Sequence, residues 1–195
     1  MPAMAEAGPP PTVKLICGML TSAPERFSQA EEALAEAFGP IDLTSQTTDF
    51  DFTHYYDREL GTPLRRRFVA FRELRGADVL AEAKRTTNGL ERRLAGVPPG
   101  IAPPGPGSPQ PPRRVNLDVG YVERSKLVLA SMKNFAQRIY LGGGVYAEVT
   151  LLHRGGRWEP LAWTFPDYAS GRYDAFLTAV RDRLCRQLRG GADRC

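Results

Sequence analysis

Two kinds of apolar spacing divide the chain. "VKLICGML" (13–20) is a nearly unbroken apolar run ending beside Ser22 and Pro24, which predicts a buried strand. In "SAPERFSQAEEALAEAFG", Phe27, Ala30, Leu34 and Phe38 recur at helical spacing, between Ser22 as a cap and Gly39 as a stop. Residues 40–60 begin as a strand, continue as alternating acids and aromatics in "TTDFDFTHYYDREL", and end in a short helix near Tyr55–Leu60. "RRRFVAFREL" (65–74) has the composition of a strand, and "ADVLAEAKRTTNGLERRLAG" that of a helix closed by Gly96.

Half of the residues in 97–112, "VPPGIAPPGPGSPQPP", are proline, and almost none could build a core, so a disordered insertion is expected there. Beyond it, "RRVNLDVGYV" alternates. Val115, Leu117 and Val119 point one way, and Arg114, Asn116 and Asp118 the other, with Gly120 expected in a turn. "ERSKLVLASMKN" is predicted to be a helix, on which Lys126, Ala130 and Lys133 share a face. Tyr173, Phe176, Leu177, Val180, Leu184 and Leu188 mark a closing amphipathic helix. Neither flank of the proline-rich segment closes a sheet alone. The expected fold is therefore one α+β domain over 13–190, with a loose start at 1–12 and a tail at 191–195. Its sheet is mixed or mostly antiparallel, with a C-terminal three-stranded meander, packed by about four helices.

Three glycines in "RIYLGGGVYAEVTLL" (138–152) raise the question of a phosphate loop. Such a loop needs a helix after it, together with a lysine and a hydroxyl. Here "VYAEVTLL" reads as a second strand, so Gly142–Gly144 is a hairpin turn, and Gly155-Gly156 is a second one. These turns set an expected register. Tyr140 faces Tyr146, Ile139 faces Ala147, Arg138 faces Glu148, Leu141 faces Val145, His153 faces Trp158, and Glu148 faces Trp163. One face then carries Ile139, Leu141, Val145, Ala147, Val149, Leu151 and Ala162 as core. The other carries Arg138, Tyr140, Tyr146, Glu148, Thr150 and Trp163. Paired charges beside aromatic rings suit a binding surface as well as a cross-strand ion pair. Asp167, in "WTFPDY", is expected to cap the last helix.

Composition narrows the function classes. With 26 Lys+Arg against 22 Asp+Glu the net charge is +4, a mild excess for a nucleic-acid binder. The three cysteines (Cys17, Cys185 and Cys195) are far apart and only two histidines could join them, so no structural zinc site is expected. Cys17 lies in an apolar run and is expected to be a buried thiol. No signal peptide or membrane-spanning run is visible, and the expected compartment is the cytoplasm.

Several segments, in order, resemble a known family. "VKLICGML", "FDFTHYYDRELG", "RRVNLDVGYVERSKLVLAS" and "RIYLGGGVYAEVTLL" followed by "WTFPDY" are similar to a bacterial family known as domain of unknown function 4416. The resemblance runs from about Val13 to the last predicted helix, and the proline-rich insertion is longer than is usual for the family. No established activity comes with it. Some relatives carry a GTP-binding label, but this chain has no P-loop for GTP or ATP. The resemblance implies that Asp51, Tyr55, Tyr56, Thr87, Asn88, Asn116, Asp118, Gly120, Tyr121 and Lys126 matter. It extends the set to Lys133, Arg138, Tyr140, Tyr146, Glu148, Trp163, Pro166, Asp167 and Tyr168.

The leading expectation is a domain that binds, or acts on, an anionic small molecule such as a nucleotide or phosphorylated metabolite. Lys126, Lys133 and Arg138 would hold the anion beside Asn116. Glu148 or Asp118 would serve as general base, and Tyr146 or Trp163 would stack. Neighbouring carboxylates would accept Mg²⁺, though no ligand spacing demands it. One alternative is a single-stranded RNA or other nucleic-acid module using exposed Tyr140, Tyr146 and Trp163 beside a positive strip. Another is a non-catalytic partner protein. Oligomeric state is left open.

Overall fold

The computed structural model describes residues 6–97 and 113–190. Residues 98–112 of the expected insertion at 97–112, residues 1–5 of the expected start at 1–12, and the tail at 191–195 lie outside the described residues. Strand β1 (Thr12–Thr21) is buried from Val13 onward, because it pairs on both edges and is covered on both faces. One edge takes β4 (Arg65–Gly76), and the other takes β5 (Asn116–Val122), from the far side of the proline-rich segment. With β2 (Ile41–Thr44) outside β4, the order is β2-β4-β1-β5, followed by β6 (Lys126–Ser131), β8 (Val145–Arg154) and β7 (Ile139–Gly142). β3 (Thr48–Asp49) adds to β4. All pairings are antiparallel.

Alternation along β1, β4 and β5 sorts the core into two layers. Leu15, Cys17, Met19, Val69, Phe71, Leu117 and Val119 face helices α1 (Arg26–Phe38) and α3 (Leu80–Leu94). Ile16, Phe68, Ala70 and Val122 face α5 (Asp174–Arg189) through Tyr173, Leu177 and Val180. A short helix α2 (Asp57–Leu60) closes a third cluster of Leu20, Phe50, Leu60 and Leu64. Phe27, Ala30, Leu34 and Phe38 of α1 are all buried, as their spacing predicts. The capping expectation for Ser22 fails: Glu25 precedes α1, and the Ser22 hydroxyl donates to the carbonyl of Leu60.

Residues 126–131 are strand β6 (Lys126–Ser131), which corrects the expected helix. Leu127 and Leu129 enter one core layer, and Val128 and Ala130 the other. A strand apolar on both faces shows no period of two, and the flanking lysines then imitate helical spacing. Gly120 lies inside β5, against expectation. A Cβ there would run into the Val128 carbonyl oxygen.

Strand β8 (Val145–Arg154) has β6 along one edge. Its other edge is shared by β7 (Ile139–Gly142) near its start and β9 (Arg157–Pro160) near its end. Tyr140 pairs with Tyr146, Ile139 with Ala147 and His153 with Trp158, as the turns predict. Gly142, rather than Leu141, stands opposite Val145. A register step between Leu127 and Val128 moves Leu151 into the layer opposite Val145 and Ala147. Ile139 is 72% exposed and Leu141 42%, because β7 is the outermost strand, so neither is core. The glycine turn has φ of 101°, 58° and 78°, and the Arg85 guanidinium packs on Gly143.

Candidate functional site

The site starts where two strands part. β5 pairs with β6 only over Gly120–Val122, so its first residues keep one edge without a strand partner. Helix α3 supplies the missing bonds with side chains. Glu91 Oε1 accepts the Leu117 N–H at 2.6 Å, and Lys84 Nζ donates to the Leu117 carbonyl at 3.0 Å. Arg113 then ties Glu91 (3.1 Å), Glu59 (2.5 and 2.7 Å) and Asn116 Oδ1 (2.6 Å) together. Burial pushes the Glu91 carboxyl up from its ordinary range, although Lys84 and Arg113 oppose this.

On the α5 side of the sheet, Arg66 reaches from β4 across β1 to β5. Its Nη1 donates to Asp118 Oδ2 at 2.8 Å, and its Nη2 lies 3.6 Å from Asp167 Oδ2. The guanidinium also lies 4.9 Å from the Phe50 ring centroid and 5.6 Å from that of Phe68. Side-chain exposure ranks the members: Arg66 3%, Asp167 6% and Asp118 27%, so Asp118 is the carboxylate that reaches solvent.

Their charges diverge. Burial works against ionising Asp118, but Arg66 and Lys84 outweigh it and hold its carboxyl below the ordinary range. Burial pushes the Asp167 carboxyl up, and Arg66 only partly offsets that. Tyr173 donates to Asp167 Oδ2 at 3.3 Å. Tyr56, Tyr168 and Tyr173 are all raised by burial, which keeps their hydroxyls protonated. Asp167 is not the expected cap. It lies in α4 (Pro166–Ala169), a separate four-residue helix preceded by Phe165, and its carboxylate is buried.

Four loops border this end of the sheet and are tied to one another or to the strands. Lys133 Nζ donates to Tyr55 Oη at 2.5 Å and sits 4.7 Å from that ring's centroid. Arg172 donates to the Asp49 carbonyl (2.7 Å) and to Asp51 (3.1 Å). Trp163 Nε1 donates to the Val149 carbonyl (2.8 Å), and Thr164 Oγ1 to that of Thr150 (2.6 Å). Tyr55, Trp163 and Phe165 keep exposed rings on these loops.

The residues singled out by sequence fall into separate groups. Asn116 and Asp118 belong to the Arg66 cluster. Arg138 and Glu148 form a buried ion pair at 2.8 Å, to which Gln137 also donates, and Arg138 donates further to Ser131 Oγ and the Lys133 carbonyl. Tyr146 packs on Tyr140, ring centroids 5.1 Å apart. Trp163 does not stand opposite Glu148, because β9 ends at Pro160. Lys126 pairs with Glu123 (2.7 Å) at the other end of β6, and the helix face expected to unite it with Lys133 does not exist. Glu148 neutralises Arg138, and the Arg85 guanidinium packs on the turn between Tyr140 and Tyr146.

Arg66, Lys84, Glu91 and Arg113 join the cluster without having been singled out. Their signal was faint: Arg66 sits in an arginine triplet that resembles a solvated stretch, and Lys84 and Glu91 share α3 with exposed charges. Among the described residues, no group of three or more His, Cys, Asp or Glu gathers to hold a metal ion. No helix among them is long and apolar enough to cross a membrane. Cys17 is a buried free thiol whose pKa burial pushes up. No curated protein and no solved structure matches the chain. The profile of the family described as domain of unknown function DUF4416 matches residues 11–184, and the chain belongs to that family.

Proposed function

We propose that the chain binds, and is placed to act on, a small anionic molecule such as a nucleotide or phosphorylated metabolite, at the Arg66–Asp118 cluster. One observation carries this reading. Of the five buried side-chain polar atoms without a hydrogen-bond partner among the described residues, three belong to this cluster: Arg66 Nε, Asn116 Nδ2 and Tyr168 Oη. Asn116 hydrogen-bonds weakly to Asp118 and helps hold it ionised, and its two-donor Nδ2 keeps capacity for a further acceptor. Two of the three atoms are N–H donors and the third is a hydroxyl, so the group that completes them is rich in acceptor oxygens. Leaving such an atom unpaired costs about 1–3 kcal/mol, which rewards an opening of these buried atoms onto a phosphate or carboxylate.

In this reading Asp118, ionised and partly exposed, accepts a proton from the bound molecule or its attacking water. Lys133 contributes a cation at the rim, and Tyr55 and Trp163 offer ring faces to the rest of the ligand. Arg138 and Glu148 hold the adjoining wall. The test is a thermal-shift screen of inorganic phosphate, nucleotides and sugar phosphates, repeated on Asn116→Ala and Asp118→Asn.

A further inference from the structure

A group of arginines stands at the end of the sheet away from the Arg66–Asp118 cluster. β5 runs from Asn116 to Val122, roughly 20 Å, and ends in the turn to β6. At that turn Arg181 of α5 donates to the Arg124 carbonyl at 2.7 Å, and the His153 N–H of β8 donates to the Ser125 carbonyl at 2.7 Å. The tip of the β8–β9 hairpin, with Arg154 and Arg157, is thereby joined to α5, whose Arg181, Arg186 and Arg189 line one shallow depression. Arg124, Arg154, Arg157, Arg181, Arg186 and Arg189 stand here with Glu159 and Asp182, beside the Lys126–Glu123 ion pair (2.7 Å).

Arg154 and Arg157 stand directly opposite each other across the hairpin. Like charges in that position repel, and an anion between them converts the repulsion into attraction. Arg181 lies 3.9 Å from Asp182, a weak pairing. The cations here are arginines, whose planar forks match phosphate oxygens in pairs. Among the described residues, the exposed large apolar side chains, Phe135, Ile139 and Tyr55 foremost, lie outside this end, where they offer no wedge for a lipid surface.

We infer that this arginine-rich end is a docking surface for the phosphate backbone of a nucleic acid, distinct from the small-molecule site and independent of it. Contact to the backbone alone carries no base preference and a strong salt dependence. The test is fluorescence anisotropy of the full chain with a labelled single-stranded RNA of about 20 nucleotides and a duplex of about 20 base pairs, titrated over salt from about 50 mM upward. Arg154→Glu/Arg157→Glu and Arg186→Glu/Arg189→Glu are compared with the native chain, each pair at exposed positions with the fold checked by circular dichroism.

The expected result is binding whose logarithm falls linearly with the logarithm of salt. Each double variant should weaken it at least about tenfold at low salt and flatten the slope. Asp118→Asn should leave it unchanged. Three results would overturn the proposal: no binding to either nucleic acid at low salt, equal binding by the double variants, or binding to vesicles of anionic lipid in place of nucleic acid.

Discussion

Arg66 and Asp118 meet over the body of β1, and the residue beneath them is Gly18, which pairs with Asp118 on one side and Phe68 on the other. A Cβ at Gly18 would lie 2.9 Å from Arg66 Nη1 and 2.8 Å from Phe68 Cε1. The glycine therefore serves the crossing of the ion pair. Gly18→Ala should destabilise the protein by about 1–3 kcal/mol, as overpacking of a filled core does. Chemical denaturation measures this, and a neutral effect would mean that the crossing has slack.

Gly120 serves the point where β5 leaves β6, and there the obstacle is backbone. Gly120→Ala should cost at least as much as Gly18→Ala, because a carbonyl in a ladder yields less than an arginine tip. Hydrogen exchange at Leu127–Ala130 should rise with it. Unchanged protection there would count against the close approach of the two strands.

Glu148 and Arg138 have side-chain exposures of 3% and 10%. Removing only the carboxylate, in Glu148→Ala, strands a buried guanidinium and should cost about 3–5 kcal/mol. Replacing both, in Arg138→Met with Glu148→Leu, should recover most of that loss. A double-mutant cycle in denaturant gives the coupling, and additive single losses would rule it out.

Acid should weaken the fold partly through Asp118. Its folded pKa lies below the ordinary value of 3.8, so the unfolded chain takes up this proton more readily. The stability it contributes is complete above that value and is lost as pH falls through the range below it. Asp167 and Glu91, raised by burial, act with the opposite sign, and their contribution is lost as pH rises through their elevated values. The stability gap between the native chain and Asp118→Asn should therefore narrow as pH falls below about 4. A gap independent of pH would contradict the account of Asp118 as an ionised partner of Arg66.

Local pattern was enough for much of this fold. The four apolar positions of α1 and the run of β1 declare themselves, and the glycine turns set Tyr140 against Tyr146 and His153 against Trp158. β6 was hidden because Leu127–Ala130 feeds both core layers and so loses its alternation. The sharing of one β8 edge by β7 and β9 follows from β6 taking the other, a long-range fact that no window of sequence carries. The same holds for the site. Asn116 and Asp118 were visible as the polar side of an alternating strand. Their partners Arg66 and Asp167 come from β4 and α4, and only the order of strands brings them together.

The central claim is tested most directly by thermal melting of the native chain, Asn116→Ala, Tyr168→Phe and Lys126→Ala with inorganic phosphate and a panel of phosphorylated metabolites and nucleotides. The account predicts that at least one compound raises the Tm of the native chain and of Lys126→Ala. The same compound should give a reduced rise, or none, with Asn116→Ala and Tyr168→Phe, whose side chains offer unpaired polar atoms at the Arg66–Asp118 cluster. A panel without effect on the native chain, or an equal rise in all four proteins, would contradict it.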